Sequence, residues 1–317
     1  MLDIYEMQIF LMAAEAGSFS EAGRRLQLSQ PAVSMQIRSL EKRLGIELFH
    51  RAGRHIRLSE AGQALVPLAR DLVNLSIHTE EAITSLKGEV FGMLKLGCST
   101  TAGKYILPKL IARFIEHFPE VQVTCHVGSR GTALQQVLDG DAQIAITSLR
   151  ETSKDLEFRP FILDPIVMIA PPDHPWAGAG TVSLRELATS RFILRELTSG
   201  TRQAVADALA AHDVSLGALD CVMVMGNSEA IIEAVAEGIG VSFVSYQAAV
   251  EGIEHGRVIG VDVAGVALEQ QLYMVKHAHR APTTAQSSFW EFVYQSANRD
   301  LLEANSQRPG AAVRIEA

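Results

Sequence analysis

The chain has 317 residues, of which 48% are hydrophobic and 20% are charged, and it carries a formal net charge of −8. This length suits two or three domains with sizeable cores, and no stretch approaches the roughly 20 consecutive apolar residues that a membrane helix needs. The first residues, MLDIYEM, include acids and no basic stretch before an apolar core, so we expect no secretory signal.

Basic residues are concentrated near the N-terminus. Residues 18–57 carry eight Lys or Arg and three Glu, a net charge of +5, which leaves −13 for the rest of the chain. Such a charge contrast is typical of a protein end that meets a polyanion, although a run of charges is more often only a solvated helix face.

Three short helices and a hairpin are predicted for the first 58 residues. Ser18 can cap the second helix, and Ser29 can cap a third helix that ends at Gly45. Two short strand-like runs then flank Ala52-Gly53-Arg54, which predicts a hairpin with a basic tip.

A long helix is predicted from Ser59 to about Leu86, with Pro67 inside it. Its apolar positions exceed what the small N-terminal domain can cover, so we expect it to pair with the same helix of a second copy. The segment KGEVFG, residues 87–92, is the expected linker.

From Met93 onward, short apolar runs alternate with amphipathic helices, a pattern typical of βαβ units on parallel sheets. Two such sets joined by crossing strands predict two lobes with a cleft between them. The strand LYMVKHA and one long helix over residues 283–304 are expected to close the fold.

The segment FLMAAEAGSFSEAGRRLQLSQPAVSMQIRSLEKRLGIELFHRAGRHIRLSEAG, residues 10–62, closely resembles the DNA-binding head of LysR-type transcriptional regulators. The two-lobed remainder resembles the effector domain of that family, so the resemblance covers residues 1 to about 302. It implies an α/β protein with an all-α, winged head, whose effector domain has the architecture of periplasmic binding proteins. It also implies a homodimer, and a homotetramer built as a dimer of dimers.

The expected domain boundaries follow this organisation. They are a winged helix-turn-helix over 1–58, a dimerisation helix and linker over 59–91, a two-lobed effector-binding domain over 92–302 and a flexible tail over 303–317. Within the effector-binding domain, lobe I comprises 92–164 and 268–302, and lobe II comprises 165–267.

The resemblance implies that the second helix of the helix-turn-helix enters the major groove of double-stranded DNA with its N-terminal end. A glutamine there can pair with adenine and a serine can contact a base or phosphate, whereas Met35 can contact only a thymine methyl. Arginines at the hairpin tip would enter the adjacent minor groove. The expected DNA-contact residues are Ser29, Gln30, Pro31, Ser34, Met35, Arg38, Arg51 and Arg54.

The motifs GCSTTAGKYILP, GDAQIAIT, RELTSGTR and GNSEAIIEAVAEGIGVSFVS resemble the branch of the family that senses small anionic metabolites. Hydroxyl side chains precede predicted helices at strand ends in these motifs, which favours an anion. Taken singly, each hydroxyl is more simply a helix cap. Their convergence predicts a small anionic effector, an oxyanion or a short carboxylate. The expected effector-binding residues are Ser99, Thr100, Thr101, Thr147, Ser199, Gly200, Thr201, Arg202 and Asn227.

The sequence also bears on three alternative functions. TSGTR lacks the GK[ST] signature, GCSTTAG is no nucleophile elbow and the histidines are scattered, so we expect no enzyme activity and no cofactor. A solute-binding protein of a transporter shares the two-lobed architecture, but the DNA-binding head argues against it.

The third alternative is a redox sensor. Cys98 adjoins the predicted pocket and Cys125 lies on a neighbouring predicted strand, but no basic cluster surrounds Cys98, so an inert thiol is the simpler interpretation. The three cysteines form no Cys-x-x-Cys or Cys/His cluster, which predicts no metal site and a reduced, cytoplasmic protein.

Overall fold

The computed structural model describes residues 2–52, 55–85 and 90–306. The chain forms two compact units. The first comprises Met1–Gly92, Asp139–Asp141 and Arg280–Ala285, and the second comprises the remainder. Several predicted features lie outside the described residues. They are the expected hairpin-tip contact Arg54, Leu86, residues 87–89 of the expected linker and the tail from residue 307.

The N-terminal part of the first unit is a three-helix head with a small hairpin. Its elements are α1 (Ile4–Ala16), α2 (Phe19–Leu26), α3 (Gln30–Leu44) and the antiparallel strands β1 (Phe49–Ala52) and β2 (His55–Leu58). The predicted caps are confirmed, since Ser18 Oγ accepts from the backbone N–H of Glu21 and Ser29 Oγ accepts from that of Ala32. Gly45 ends α3 with a φ of 72°, as the sequence predicts.

The turn between α2 and α3 is tight because of Gly23. A Cβ at that position would lie 2.7 Å from the Leu28 carbonyl oxygen, so only glycine lets the two helices approach this closely. The core beneath them is apolar and fully covered, with Phe10, Val33 and Ile37 among its buried side chains. The pattern of the sequence thus gives a helix-turn-helix whose second helix begins at the protein surface.

The long helix α4 (Glu60–Ser85) has two different apolar faces. Ser59 Oγ accepts from the Gly62 N–H and caps it, as predicted. One face packs Ala69 against the core of the head. Another face leaves Leu68 61% exposed and Leu75 55% exposed, so its apolar surface has no cover within the described chain.

The second unit is built on one ten-stranded sheet that serves two lobes. The strands are β3 (Gly92–Ser99), β4 (Val121–Gly128), β5 (Ile144–Thr147), β6 (Leu156–Ala170), β7 (Thr181–Val182), β8 (Arg191–Arg195), β9 (Asp220–Met225), β10 (Val241–Ser245), β11 (Ile259–Val263) and β12 (Glu269–His277). Neighbouring strands follow the order β4-β3-β5-β12-β6-β10-β8-β9. Off this path, β11 pairs with β6 and β7 pairs with β11.

Each lobe has a parallel centre, and β6 links the two. In lobe I, β3 pairs with β5 in parallel, and in lobe II, β8 pairs in parallel with both β9 and β10. The first part of β6 pairs antiparallel with β12, and its last residues pair antiparallel with β10 and β11. The prediction of two α/β sets joined by crossing strands is therefore confirmed.

Helices cover the sheet, and several begin at strand ends. They are α5 (Leu107–His117), which continues a π-helical turn (Ala102–Ile106), and α6 (Arg130–Asp139), α7 (Gly200–Ala210), α8 (Ser228–Ala236), α9 (Tyr246–Glu254), α10 (Thr284–Phe292) and α11 (Arg299–Ser306). Within the described residues, none of the helices combines the length and the apolar character needed to cross a lipid bilayer.

The prediction of a single closing helix over residues 283–304 is wrong. The chain instead forms α10, a 3-10 turn at Ser296–Asn298 and α11. The fully buried Asn298 side chain donates to the Phe292 carbonyl at 2.7 Å, which satisfies a carbonyl at the end of α10 and fixes the break.

Candidate functional site

Three helical segments of the second unit begin at the cleft between its lobes. Helical structure begins at Thr100 after β3, at Arg130 after β4 and at Gly200 after β8. Ser129 Oγ accepts from the Thr132 N–H at 3.0 Å, and Ser199 Oγ accepts from the Arg202 N–H at 3.3 Å. Because the first turn of a helix presents N–H groups and a partial positive charge, this arrangement attracts an anion.

The cleft is small and polar. Its volume is about 30 Å³, room for one or two water molecules. The lining residues are Ser99, Thr100, Thr101, Gly128, Ser129, Arg130, Ser148, Arg195, Glu196, Thr198, Ser199, Gly200, Thr201 and Gln270.

Six of the residues that the sequence predicts for effector binding line this cleft, and three do not. The six are Ser99, Thr100, Thr101, Ser199, Gly200 and Thr201. Thr147 is fully buried, and its hydroxyl donates to the Arg130 carbonyl. Arg202 Nη1 donates to the Arg195 carbonyl at 2.5 Å, and Asn227 Oδ1 caps α8 through the Ala230 N–H. These three side chains therefore have structural partners at the edges of the cleft.

The sequence reasoning missed the two cations of the cleft. Arg195, the last residue of β8, is only 5% exposed, and its Nη1 donates to Ser228 Oγ at 2.9 Å. Arg130 Nε donates to the Thr198 carbonyl at 3.1 Å, a bond that joins lobe I to lobe II. The hydroxyl that precedes the helix at Ser129-Arg130 was the available signal for Arg130. Nothing in the strand RFILREL distinguishes Arg195 from an exposed arginine.

A buried hydrogen-bond network lies behind the cleft, where the crossing strands meet. Gln270 Nε2 donates to Asp164 Oδ2 at 2.7 Å and to Thr201 Oγ1 at 3.3 Å, and Ser245 Oγ donates to Asp164 Oδ1 at 2.7 Å. Burial raises the pKa of the Asp164 carboxyl to about 6, although both hydrogen bonds lower it. This network connects a cleft residue to the strand that the two lobes share.

Two cysteines lie close together beside the cleft. Cys98 Sγ is 3.3 Å from Cys125 Sγ, and Cys98 is fully buried. The contact with Cys125, together with burial, raises the pKa of the Cys98 thiol, so the thiol stays protonated. Among the described residues, no cluster of His, Cys, Asp and Glu could hold a metal ion.

In the head, the N-terminal end of α3 presents its predicted contact residues to the surface. Ser29, Gln30, Pro31 and Arg38 are exposed, and Ser34 is partly exposed. Met35 is 63% exposed, which is unusual for a methionine without a partner. Arg51 lies in β1, but its side chain is outside the described part of the structure.

Several arginines of the basic segment, residues 18–57, form ion pairs within the head. Arg24 pairs with Glu21, and Arg25 pairs with Glu15 at 2.8 Å. Arg43 pairs with Glu6. Arg38 has no ion pair among the described residues, so its charge is available to a phosphate.

Comparison with protein families gives two matches that together cover most of the chain. A model described as "Bacterial regulatory helix-turn-helix protein, lysR family" matches residues 4–63, and one described as "LysR substrate binding domain" matches residues 87–298. The RuBisCO operon transcriptional regulator of Allochromatium vinosum is 32% identical over 298 residues, which cover 94% of this chain and 97% of the relative.

Solved structures show the same architecture. A full-length OxyR variant from Pseudomonas aeruginosa superposes with a TM-score of 0.72 at 22% identity, covering 92% of this chain and 93% of that one, a likeness of fold. The CcmR regulatory domain of Synechocystis PCC6803, solved in complex with 2-PG, is 29% identical with a TM-score of 0.58, covering 64% of this chain and 95% of that one. The chain belongs to the LysR family of bacterial transcriptional regulators, and it combines a helix-turn-helix head with an effector-binding domain.

Proposed function

We propose that this LysR-family regulator binds a small anion in the cleft between its lobes and that the anion modulates its binding to double-stranded DNA. The observation that carries the proposal is the convergence of three helix beginnings on a cleft that contains the almost fully buried Arg195. A buried guanidinium and oriented N–H groups together are the donors that an oxyanion or a carboxylate requires.

The relative that was solved with 2-PG supports a small-molecule effector, since its regulatory domain is similar to the effector-binding domain described above. The proposed binding residues are the six predicted hydroxyl and glycine positions of the cleft together with Arg130 and Arg195. Thr147, Arg202 and Asn227 are left out because their side chains do not line the cleft.

DNA contact is proposed for the exposed N-terminal end of α3, with Gln30, Ser34 and Met35 facing bases and Arg38 facing a phosphate. The hairpin, with Arg51 and Arg54, is proposed as the wing that enters the minor groove. Because such a regulator meets chromosomal DNA, the proposal includes a cytoplasmic location.

Assembly is proposed through α4. The uncovered leucines of this helix would be buried against the same helix of a second copy, giving a homodimer that presents two heads to two half-sites. A homotetramer, formed as a dimer of these dimers, completes the proposal.

Calorimetry on the full chain tests the effector proposal, with sulfate, acetate and 2-PG as ligands. Thr100→Val removes a cleft hydroxyl and nearly keeps the side-chain volume, so we expect weaker binding of the best ligand without loss of DNA binding. Coupling between ligand and DNA is expected at about 1–3 kcal/mol. Equal affinities of both proteins for that ligand would remove Thr100 from the site, and no heat with any anion would contradict the proposal.

Redox sensing is a second candidate because the Cys98 and Cys125 sulfur atoms are only 3.3 Å apart. Hydrogen peroxide would oxidise the two thiols to a disulfide and be reduced to two water molecules. The protonated, buried Cys98 thiol argues against a reaction that begins at Cys98, whereas the contact with Cys98 lowers the pKa of the Cys125 thiol. If Cys98→Ser leaves the response of DNA binding to peroxide unchanged, this candidate is rejected.

A further inference from the structure

Two adjacent residues of opposite charge line the cleft. The Glu196 carboxylate accepts from Arg195 Nε at 2.9 Å and from Arg195 Nη2 at 3.0 Å. It therefore occupies two neighbouring donors of the guanidinium, an edge that binds a carboxylate or an oxyanion in a bidentate manner. The side chain of Glu196 is 34% exposed, whereas that of Arg195 is 5% exposed.

The backbone on both sides fixes the position of this carboxylate. The Glu196 N–H donates to the Met225 carbonyl at 3.2 Å, at the end of β9. The Glu196 carbonyl accepts from the N–H of Ser199, the cap of α7, at 3.0 Å. Glu196 thus lies between the end of the lobe II sheet and the beginning of a helix that lines the cleft.

The charges have a direct consequence for any anion that enters. A guanidinium as buried as Arg195 needs a counter-charge, and Glu196 provides it whenever no other anion is present. An incoming anion is attracted by Arg195 and Arg130 and is repelled by Glu196. The repulsion scales with the charge of the anion, because it is Coulombic.

We propose that Glu196 is a specificity-determining residue that acts as an internal competitor for Arg195. It lowers the affinity of the cleft for anions, and it disfavours a doubly charged anion more than a singly charged one of the same shape. This inference rests on the proposed function, since it concerns the same site.

A different role for Glu196 would be to hold Arg195 in the orientation that a ligand needs. The two roles predict opposite effects of Glu196→Gln. Loss of a competitor strengthens anion binding, whereas loss of a positioning partner weakens it.

Sulfate and methanesulfonate are suitable probes because both are compact tetrahedral anions and they differ by one charge. Calorimetry on full-length wild type and Glu196→Gln measures both. We expect the Kd of methanesulfonate to fall about threefold to tenfold, and the Kd of sulfate to fall by about the square of that factor. Glu196→Asp keeps the charge, so its ratio of the two Kd values should match that of the wild type.

Glu237→Gln serves as the control, since it removes a carboxylate from an exposed position of lobe II that does not line the cleft. Its Kd values should equal those of the wild type. If the wild type binds sulfate but Glu196→Gln binds it more weakly or equally well, the role of Glu196 is overturned and the proposed function is not. Absence of binding by every protein overturns the proposed function as well.

Thermal unfolding keeps the inference testable if Glu196→Gln folds poorly. Without its counter-charge, Arg195 should destabilise the variant in a buffer of uncharged molecules, and sulfate should restore more of its Tm than it adds to the wild type. A variant whose loss of Tm is not reversed by sulfate would contradict the inference.

Discussion

Asp164 and Gln270 face each other on the two crossing strands, and the Gln270 amide donates to the Asp164 carboxylate at 2.7 Å. Asp164 is fully buried in β6, the strand that both lobes share, whereas Gln270 reaches the lining of the cleft. A carboxyl at the junction of the lobes is thereby one hydrogen bond away from the site that we propose for the effector.

Asp164→Asn should change how stability depends on pH. Burial raises the pKa of Asp164 in the folded chain to about 6 from an ordinary 3.8. Because the pKa of Asp164 is higher in the folded chain than in the unfolded chain, the wild type is most stable below pH 3.8. It loses stability as the pH rises through about 6. The neutral asparagine avoids that loss, so its stability relative to wild type should rise between pH 4 and 7, by at most about 3 kcal/mol.

Urea unfolding at several pH values measures this difference. The exposed Asp213→Asn is a control for the general effect of removing a carboxylate. Parallel curves of stability against pH for wild type and Asp164→Asn, from pH 4 to 7, would show that the Asp164 carboxyl does not titrate in this range.

Gly200→Ala should disturb the cleft although alanine is the better helix former. A Cβ at Gly200 would lie 2.0 Å from Ser148 Oγ and 2.7 Å from Gln270 Oε1. Both side chains must move, which perturbs the contact between the lobes and the network around Asp164. We expect a loss of about 1–3 kcal/mol in the free energy of unfolding and weaker anion binding, measured by urea unfolding and calorimetry.

Gly131→Ala is the matched control, since Gly131 is also in the first turn of a helix and a Cβ there meets nothing within 4 Å. That variant should gain roughly 0.5–1 kcal/mol. If both variants were stabilised equally, the close approach at Gly200 would not restrict the side chain.

Local signals in the sequence account for much of the fold. Ser18, Ser29 and Ser59 cap the helices that the sequence predicts. These caps are predictable because a capping hydroxyl bonds only to a backbone N–H in the first turn of its own helix. The break after Phe292 was missed, since it depends on Asn298, which is buried by tertiary packing. The helix α9 and strand β11 were also missed, as their short apolar runs have no distinct period.

The candidate site was predictable only where helix beginnings carry hydroxyl groups. That pattern found Ser99–Thr101 and Ser199–Thr201, both of which line the cleft. It also selected Arg202 as the cation, whereas the arginines that line the cleft are Arg130 and Arg195. Which face of a strand or helix carries a side chain into a cleft depends on the packing of the lobes, and the sequence alone does not specify it.

Gln30→Ala and Arg38→Ala should separate base recognition from phosphate contact. Gln30→Ala is expected to relax selectivity at one base pair, at a cost of about 1–3 kcal/mol for the preferred sequence only. Arg38→Ala should weaken binding to all duplexes alike and reduce the slope of log affinity against log salt by about 1. Fluorescence anisotropy on a duplex selected from a random library, and on unrelated duplexes, measures both. Equal losses on all duplexes for Gln30→Ala would contradict base readout.

Leu72→Glu should break the pairing of two heads. Leu72 is 39% exposed on α4, on the face that also carries Leu68 and Leu75. In the proposed dimer a glutamate there would be buried without a partner, which is strongly unfavourable. Sedimentation should show a lower oligomeric state, and footprinting should show loss of simultaneous binding to two half-sites. Gln63→Glu adds the same charge on the opposite face of α4. It should leave both the oligomeric state and the binding to two half-sites unchanged. A Leu72→Glu protein that still protects two half-sites at wild-type affinity would place the interface on another surface.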